Sequence, residues 1–233
     1  MPDDVTILIV DDDEGDVRLV SLVLKQTGGE YAVTSAGTLA EGLEHLQADG
    51  SDLVLLDLGL PDSHGLDTVG TVCQEHPEIP IVVLTGLDSE EAGLEALRRG
   101  ASDYLVKDQL SAEMLSRTIR YSLERKRLEQ RLIYLADHDP LTGVLNRRRF
   151  EEAVDRAASR ARRGRSSALM LFDVDGFKQV NDTLGHSAGD EVLSGLAHCI
   201  QQQLRAEDVL ARVGGDEFAA LLEGLTGCEA HAR

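Results

Sequence analysis

The chain has 233 residues, 42% of them apolar, with only 3% aromatic residues and no Trp, so its cores must be built from aliphatic side chains. Its net charge of −19 argues against nucleic acids and membranes as partners, because their phosphate groups are also negatively charged. No apolar run approaches the roughly 18 residues that span a bilayer, no signal peptide is found, and the three isolated cysteines indicate neither a disulfide framework nor a zinc site, so we expect a cytoplasmic protein.

The charge is distributed unevenly along the chain. Residues 1–110 contain 23 acidic and 5 basic residues, whereas residues 111–233 contain 19 acidic and 18 basic residues. This change in composition predicts two differently built halves that meet near residue 110.

The first half alternates short, mostly apolar runs with helical patterns. Such runs are typical of strands that are buried on both faces of a parallel sheet. The strand patterns lie at residues 5–10, 53–56, 81–84 and 104–106, and the helical patterns lie at 17–26, 39–47, 66–75 and 90–99. Repeated β-α units of this kind predict a doubly wound, five-stranded parallel sheet, in which residues 53–56 form the third strand and residues 104–106 the fifth.

Polar residues stand where the apolar runs end. They are Asp11, Asp12, Asp57, Thr85 and Lys107. Because ligands of doubly wound sheets bind beyond the carboxyl ends of the strands, we expect these side chains to converge. Three carboxylates at one edge need a hard cation such as Mg²⁺, while a hydroxyl and an ammonium can contact a phosphoryl oxygen. The pattern predicts the formation of an aspartyl phosphate, the alternative being solvated acidic strand ends.

These residues resemble the receiver domain of two-component response regulators. The matching segments are Ile-Val-Asp-Asp at 9–12, Leu-Leu-Asp at 55–57, Leu-Thr-Gly at 84–86 and Asp-Tyr-Leu-Val-Lys at 103–107. The resemblance implies a flavodoxin-like receiver domain at residues 1–120. It also implies Asp57 as phosphoacceptor, a Mg²⁺ site of Asp11, Asp12 and Asp57, and switch residues Thr85, Tyr104 and Lys107. A tyrosine at a strand end is, however, also common as a plain core residue.

One long helix is predicted between the halves, because residues 111–136 contain neither Gly nor Pro. We assign residues 121–137 as the linker helix. Apolar residues recur every seven positions at Met114, Tyr121, Leu128 and Leu135, a spacing typical of a helix that pairs with its own copy. The intervening seam positions are mixed, so a solvated linker helix is the alternative to a homodimer.

The second half combines an apolar strand with a glycine-rich hairpin. The strand at 168–172 leads into Asp173-Val174-Asp175, whose two carboxylates are expected on one face. Two further strands, at 209–213 and 218–222, flank a turn whose two glycines are expected to adopt positive φ. If this hairpin lies beside the first strand, Asp173 and Asp216 meet, and Mg²⁺ between them would serve phosphoryl transfer.

These motifs look like the GGDEF family, the diguanylate cyclases, which condense two GTP into cyclic di-GMP and two pyrophosphates. The match runs through residues 139–143, 145–148, 172–178, 181–182, 185–186, 189–190 and 212–218. The resemblance implies metal ligation by Asp173, Val174 and Asp216, and catalytic roles for Asp216 and Glu217. It implies GTP binding by Phe177, Lys178, Asn181, Asp190, Gly214 and Gly215.

Two features of the second half qualify this reading. Arg205 and Asp208 resemble the inhibitory product site of the family, although such a pair at a helix end can also contact only itself. The family continues past the hairpin through another strand and a helix, for which residues 224–233 offer no counterpart. We therefore expect the GGDEF domain, residues 138–233, to be incomplete at its C-terminus and the 233-residue form to be weak or inactive.

Taken together, the motifs predict a response regulator that a histidine kinase or phosphotransfer protein phosphorylates at Asp57. Its expected output is cyclic di-GMP made from GTP by a Mg²⁺-dependent homodimer. The alternative is a non-catalytic signalling module whose second half only binds nucleotide or partners. Neither nucleic acids nor membranes are expected as partners.

Overall fold

The computed structural model describes residues 5–48, 50–86, 90–161 and 166–224. The chain divides into two compact units, residues 1–130 and 131–233. None of the described helices is both long and apolar enough to cross a bilayer. The C-terminal tail, for which a missing strand and helix are predicted, lies outside the described residues from position 225 onward.

The first unit contains a five-stranded parallel sheet with the order β2-β1-β3-β4-β5. Its strands are β1 (Val5–Val10), β2 (Tyr31–Ala36), β3 (Leu53–Asp57), β4 (Ile81–Thr85) and β5 (Asp103–Val106). Its helices are α1 (Glu14–Gln26), α2 (Leu39–Ala48), α3 (Leu66–Glu75), α4 (Glu90–Arg98) and α5 (Ala112–Asp137), which continues into the second unit. The prediction of a doubly wound parallel sheet is confirmed.

Two aliphatic cores cover the two faces of this sheet. Alternate side chains of β1 point to opposite faces, so Ile7 and Ile9 pack with α1 and α5, whereas Leu8 and Val10 pack with α2, α3 and α4. The inner strands are apolar at nearly every position because both of their faces are covered. Polar residues are therefore concentrated where these strands end.

Helix α5 begins within the first core and changes character along its length. Leu115 and Ile119 are buried in the first unit, whereas Leu128 and Leu132 are exposed. Met114, the first residue of the seven-residue repeat, packs partly against the first core, whereas Tyr121 is exposed.

The second unit contains a four-stranded mixed sheet with the order β6-β8-β9-β7. Its strands are β6 (Leu145–Asn146), β7 (Ser167–Asp173), β8 (Val209–Arg212) and β9 (Glu217–Glu223), and its helices are α6 (Arg147–Ala161), α7 (Phe177–Leu184) and α8 (His186–Gln201). Strand β9 is antiparallel to both β8 and β7. Its alternate residues pack against α8 on one face and α6 on the other.

Candidate functional sites

Three carboxylates meet at the carboxyl edge of the first sheet. One oxygen from each of Asp11, Asp12 and Asp57 lies within 4.8 Å of the others. Asp11 follows β1 and Asp57 ends β3, and these two strands are neighbours in the sheet. A set of carboxylate oxygens at this spacing, graded from buried Asp11 to exposed Asp12, fits a hard cation such as Mg²⁺.

The ammonium group of Lys107 lies against the same cluster. Its Nζ is 2.7 Å from Asp11 Oδ2, 2.7 Å from Asp57 Oδ1 and 2.6 Å from Asp16 Oδ2. Burial alone lowers the pKa of Lys107, but the contacts with the three carboxylates raise it more, so the net pKa lies well above its usual range. Lys107 therefore carries a full positive charge at neutral pH.

Asp16 is a member of this cluster that the sequence analysis did not identify. It lies in the first turn of α1, five positions after Asp11. The helix begins at this point because the Asp13 side chain accepts hydrogen bonds from the backbone N–H groups of Gly15 and Asp16. The signal in the sequence is the acidic run itself, which continues beyond the predicted metal pair.

The hydrogen bonds of Asp57 and Asp11 fix the orientation of both carboxylates. Asp57 Oδ2 accepts from the backbone N–H of Gly59, which leaves Oδ1 directed at Lys107. Asp11 Oδ1 accepts from the backbone N–H of Asp13 at 3.0 Å. Burial raises the pKa of Asp11, and its contacts with Lys107 and Asp13 offset only part of that rise.

The two other predicted switch residues lie on neighbouring strands. Thr85 ends β4 and is buried, with its hydroxyl 3.5 Å from the carbonyl oxygen of Leu105. Tyr104 is half-buried in β5 and packs against the core between the sheet and α4. Its ring lies directly on the backbone of Gly93, where an added Cβ would be 2.6 Å from Tyr104 Cγ. The switch roles of Thr85 and Tyr104 stay predictions.

The second candidate site lies where β7 meets the turn between β8 and β9. Asp173 is the register partner of Glu217, and the backbone N–H of Val174 donates to the Asp216 carbonyl oxygen at 3.2 Å. The backbones of the two predicted metal-ligand segments are therefore adjacent. Carboxylates and a carbonyl are oxygen donors that suit Mg²⁺, so the residues fit the ion, although their ligand roles stay predictions.

Two expectations about the backbone of this site are wrong. Neither Gly214 nor Gly215 adopts a positive φ. An added Cβ at Gly214 would lie 3.1 Å from the Glu217 carboxyl carbon and closer still to its oxygen, so the end of the Glu217 side chain would have to move. Strand β7 ends at Asp173, so Asp175 lies in the following turn and does not share a strand face with it.

The predicted guanine-binding residues lie on consecutive helices. Asn181 belongs to α7 and Asp190 to α8, while Phe177 and Lys178 form the start of α7. Asn181 Oδ1 is buried without a hydrogen-bond partner among the described residues. Buried polar atoms are rarely left unpaired, so this amide fits a site that a polar ligand completes.

Asp139 and Arg212 form a half-buried ion pair that the sequence analysis did not identify. Arg212 Nη1 is 3.2 Å from Asp139 Oδ1, and Arg212 Nε donates to the Gly215 carbonyl oxygen at 3.0 Å. Burial raises the pKa of Asp139, but hydrogen bonds from Thr142 and Arg212 lower it more, so the net pKa lies below its usual range. The pair connects the turn between β8 and β9 to the segment that follows α5.

The predicted inhibitory pair is connected locally. Asp208 Oδ2 accepts from the backbone N–H of Arg205 at 3.0 Å, and Asp208 Oδ1 accepts from the backbone N–H of Glu223 at 3.1 Å. These bonds anchor Asp208 to the end of β9. The inhibitory role of Arg205 and Asp208 stays a prediction.

Both parts of the chain match known protein families. The family model for the response regulator receiver domain matches residues 7–119, and that for the diguanylate cyclase GGDEF domain matches residues 136–233. The response regulator PleD of Caulobacter vibrioides is 31% identical over 229 residues, which cover 93% of this chain and 49% of PleD. The diguanylate cyclase TpbB of Pseudomonas aeruginosa is 50% identical over 95 residues, which cover 40% of this chain and 22% of TpbB.

A solved structure is similar in fold to part of the chain. It is the signal receiver domain of an HD domain-containing protein from Pseudomonas fluorescens Pf-5, with a TM-score of 0.50 and 23% identity over 56% of this chain and 95% of that one. The chain spans about half the length of PleD and less than a quarter of TpbB.

Proposed function

This chain contains a response regulator receiver domain followed by a GGDEF domain, and on that premise we propose that phosphorylation of Asp57 controls the synthesis of cyclic di-GMP. The observation that carries the proposal is the hydrogen bond from Val174 to Asp216. It brings the two metal-ligand segments together at the end of β7.

The receiver chemistry follows from the orientation of Asp57. One of its carboxylate oxygens attacks the phosphorus of a phosphohistidine on a histidine kinase or phosphotransfer protein. The P–N bond breaks, and its electron pair returns to the imidazole as the new O–P bond forms. Mg²⁺ held by Asp11, Asp12 and Asp57 would neutralise the phosphoryl oxygens, and Lys107 orients them with its positive charge.

In the second domain, two GTP molecules are the proposed substrates. Asp216 accepts the proton of a ribose 3′-hydroxyl as that oxygen attacks the α-phosphorus of the other GTP, and pyrophosphate leaves with the electron pair of the broken P–O bond. Two such steps yield one cyclic di-GMP and two pyrophosphates. Mg²⁺ held by Asp173, Asp216 and the Val174 carbonyl would stabilise the triphosphate charge.

The remaining predicted residues of this domain bind the substrate. Asn181 and Asp190 hydrogen-bond the guanine, since an amide and a carboxylate together complement its carbonyl, ring N–H and amino groups. The phosphates lie near Phe177, Lys178, Gly214 and Gly215. Glu217 completes the catalytic pair with Asp216, and Arg205 with Asp208 is the proposed site of product inhibition.

A second copy of the chain is the proposed partner for this reaction, because each half-site holds one GTP and two must face each other. The exposed apolar side chains of α5 support this. Tyr121, Leu128 and Leu135 are spaced by seven residues and are 61%, 56% and 39% exposed. A helix with this spacing can pair with its own copy along that stripe.

The proposal is tested with a form of the chain extended past residue 233, which is incubated with GTP and Mg²⁺, with and without acetyl phosphate, while cyclic di-GMP is measured by chromatography. We expect product that increases after acetyl phosphate treatment. In Asp216→Asn, turnover should fall at least about 100-fold, because the amide cannot accept the hydroxyl proton. Asp57→Asn, which lacks the phosphoacceptor, should remove only the response to acetyl phosphate.

The second candidate function is a non-catalytic module that binds nucleotide or partners. It is favoured by the edge of the described sheet, where the apolar side chains of Leu169 and Leu171 on β7 are largely exposed. Binding of GTP without any turnover, in both the acetyl phosphate-treated and untreated protein, would replace the first proposal with this one.

A further inference from the structure

We propose that Asp16 is a positioning residue. Its carboxylate draws Lys107 away from a phosphoryl group on Asp57 and so limits how strongly the receiver binds that group. The inference rests on the proposed phosphorylation of Asp57. It concerns a carboxylate that lies outside the three-carboxylate metal cluster and yet makes the shortest of the Lys107 contacts.

Lys107 has a limited number of hydrogen-bond donors. A lysine ammonium has three N–H groups, and here three carboxylates, those of Asp11, Asp16 and Asp57, lie at 2.6–2.7 Å from it. All donors of Lys107 are therefore engaged before any phosphoryl group arrives.

The negative charge around Lys107 also increases when Asp57 is phosphorylated. Phosphorylation replaces the single negative charge of Asp57 with a phosphoryl group that carries about −1.5 to −2. Lys107 contributes one positive charge, which it already shares with Asp11 and Asp16. Each further carboxylate beside Lys107 thus disfavours the phosphorylated state by repulsion and by competition for the ammonium.

Of the two carboxylates that contact Lys107 beside Asp57, that of Asp16 can be removed with the smaller disturbance of the site. Asp11 is almost fully buried and belongs to the metal cluster, so it is required for phosphorylation itself. Asp16 has a side chain that is 35% exposed, and it lies on a helix turn that is fixed independently by Asp13. Without Asp16, Lys107 would still be anchored by Asp11, so its position near Asp57 is retained.

Glu14 provides a matched control. It lies in the same first turn of α1 and carries the same charge, but its carboxylate pairs with Arg18 and is 85% exposed. Glu14→Gln removes one negative charge from this turn without changing any of the three carboxylate contacts of Lys107. A difference between the two variants therefore reports the Lys107 contact and not the net charge.

The experiment titrates the chain with beryllofluoride, a phosphoryl mimic, in the presence of Mg²⁺ and follows the shift in melting temperature. We expect half-saturation of Asp16→Asn at a concentration about threefold to fivefold lower than wild type, the range of a partly exposed ion pair. Glu14→Gln should match wild type. In a Lys107→Ala background, Asp16→Asn should lose most of its effect, because the competing contact is gone.

A second readout is the fraction of chain phosphorylated at steady state by acetyl phosphate, which should rise in Asp16→Asn. The inference is overturned if Asp16→Asn binds the mimic as wild type does or more weakly, or if Glu14→Gln gives an equal gain. Failure of the wild-type chain to bind beryllofluoride and to accept phosphate would overturn the proposed phosphorylation as well, which separates the two failures.

Discussion

The two candidate sites differ in how their charges are balanced. At the edge of the first sheet, Lys107 neutralises part of a carboxylate cluster that includes Asp57. In the second unit, Asp173 and Asp216 form no ion pair within the described residues, and the buried amide oxygen of Asn181 lacks a partner. The first site is organised by its own side chains, whereas the second leaves polar groups without side-chain partners among the described residues.

The two sites also differ in how the backbone supports them. The acidic residues of the first site follow strands that are paired on both sides in a five-stranded sheet. The second site depends on one turn, which the backbone of Val174 and the side chain of Arg212 hold in place. We therefore expect changes remote from the reacting atoms to disturb the second site more than the first.

The largest expected effect of this kind is at Asp139, whose loss would break the connection to Arg212. We expect Asp139→Asn to lower the free energy of unfolding of the second unit by about 2 kcal/mol at pH 7, because a partly buried hydrogen bond to a charged group is lost. The check is urea denaturation followed by circular dichroism, with Asp155→Asn, an exposed position on α6, as control.

The pH dependence of this effect has a definite sign. Because the pKa of Asp139 is lower in the folded chain than the ordinary value of 3.8, its contribution is present above that value and is lost as the pH falls. The stability difference between wild type and variant should therefore decline below about pH 4. A difference that grew toward acid pH would contradict the ion-pair interpretation.

A substitution at Gly189 tests the proposed nucleotide site of the second unit. An added Cβ would collide with the Asn181 amide and lie 3.2 Å from the Phe177 ring. We expect Gly189→Ala to weaken GTP binding about tenfold, the size of a typical overpacking penalty, while beryllofluoride binding by the receiver is unchanged. Isothermal titration measures both ligands separately.

A control for this change lies on the same helix. An added Cβ at Gly195 would meet no atom within 4 Å, so Gly195→Ala makes the same chemical change without a collision. We expect it to bind GTP as wild type does. Equal weakening of GTP binding by both substitutions would mean that α8 as a whole had been disturbed, and not only the surroundings of Asn181.

The smallest expected effect concerns the first unit. Asp62 accepts hydrogen bonds from the backbone N–H groups of Leu39 and Ala40 at the start of α2, and these bonds hold the pKa of Asp62 below its usual value. Asp62→Asn should lower the melting temperature slightly at pH 7, and the difference should vanish as acid protonates the wild-type carboxyl. Glu44→Gln, exposed on the same helix, should leave the melting temperature unchanged.

The alternation of strands and helices in the first unit is readable from the sequence because inner parallel strands are apolar at nearly every position. The polar residue that ends each run then marks the sheet edge, as Asp57 does for β3. The sequence gives no such signal for strand β2. It lies at the edge of the sheet, and its residues Tyr31–Ala36 are mixed in polarity because four of the six positions are exposed.

Contacts between distant side chains were out of reach of the same reasoning. Asp16 and Lys107 are 91 positions apart, and only the fold brings them together. The ion pair of Asp139 and Arg212 joins two motifs that the sequence analysis recognised separately. At Gly214, the motif leads to the expectation of a positive φ, but the structure shows that φ is not positive and that the end of the Glu217 side chain lies close to this position.

The ring of Tyr104 resting on Gly93 has a consequence for the surface of α4. With no side chain at position 93, the aromatic ring itself shields that stretch of helix backbone from water. Any residue larger than glycine would place its Cβ within 3 Å of the ring, so the ring can occupy this place only because position 93 is glycine.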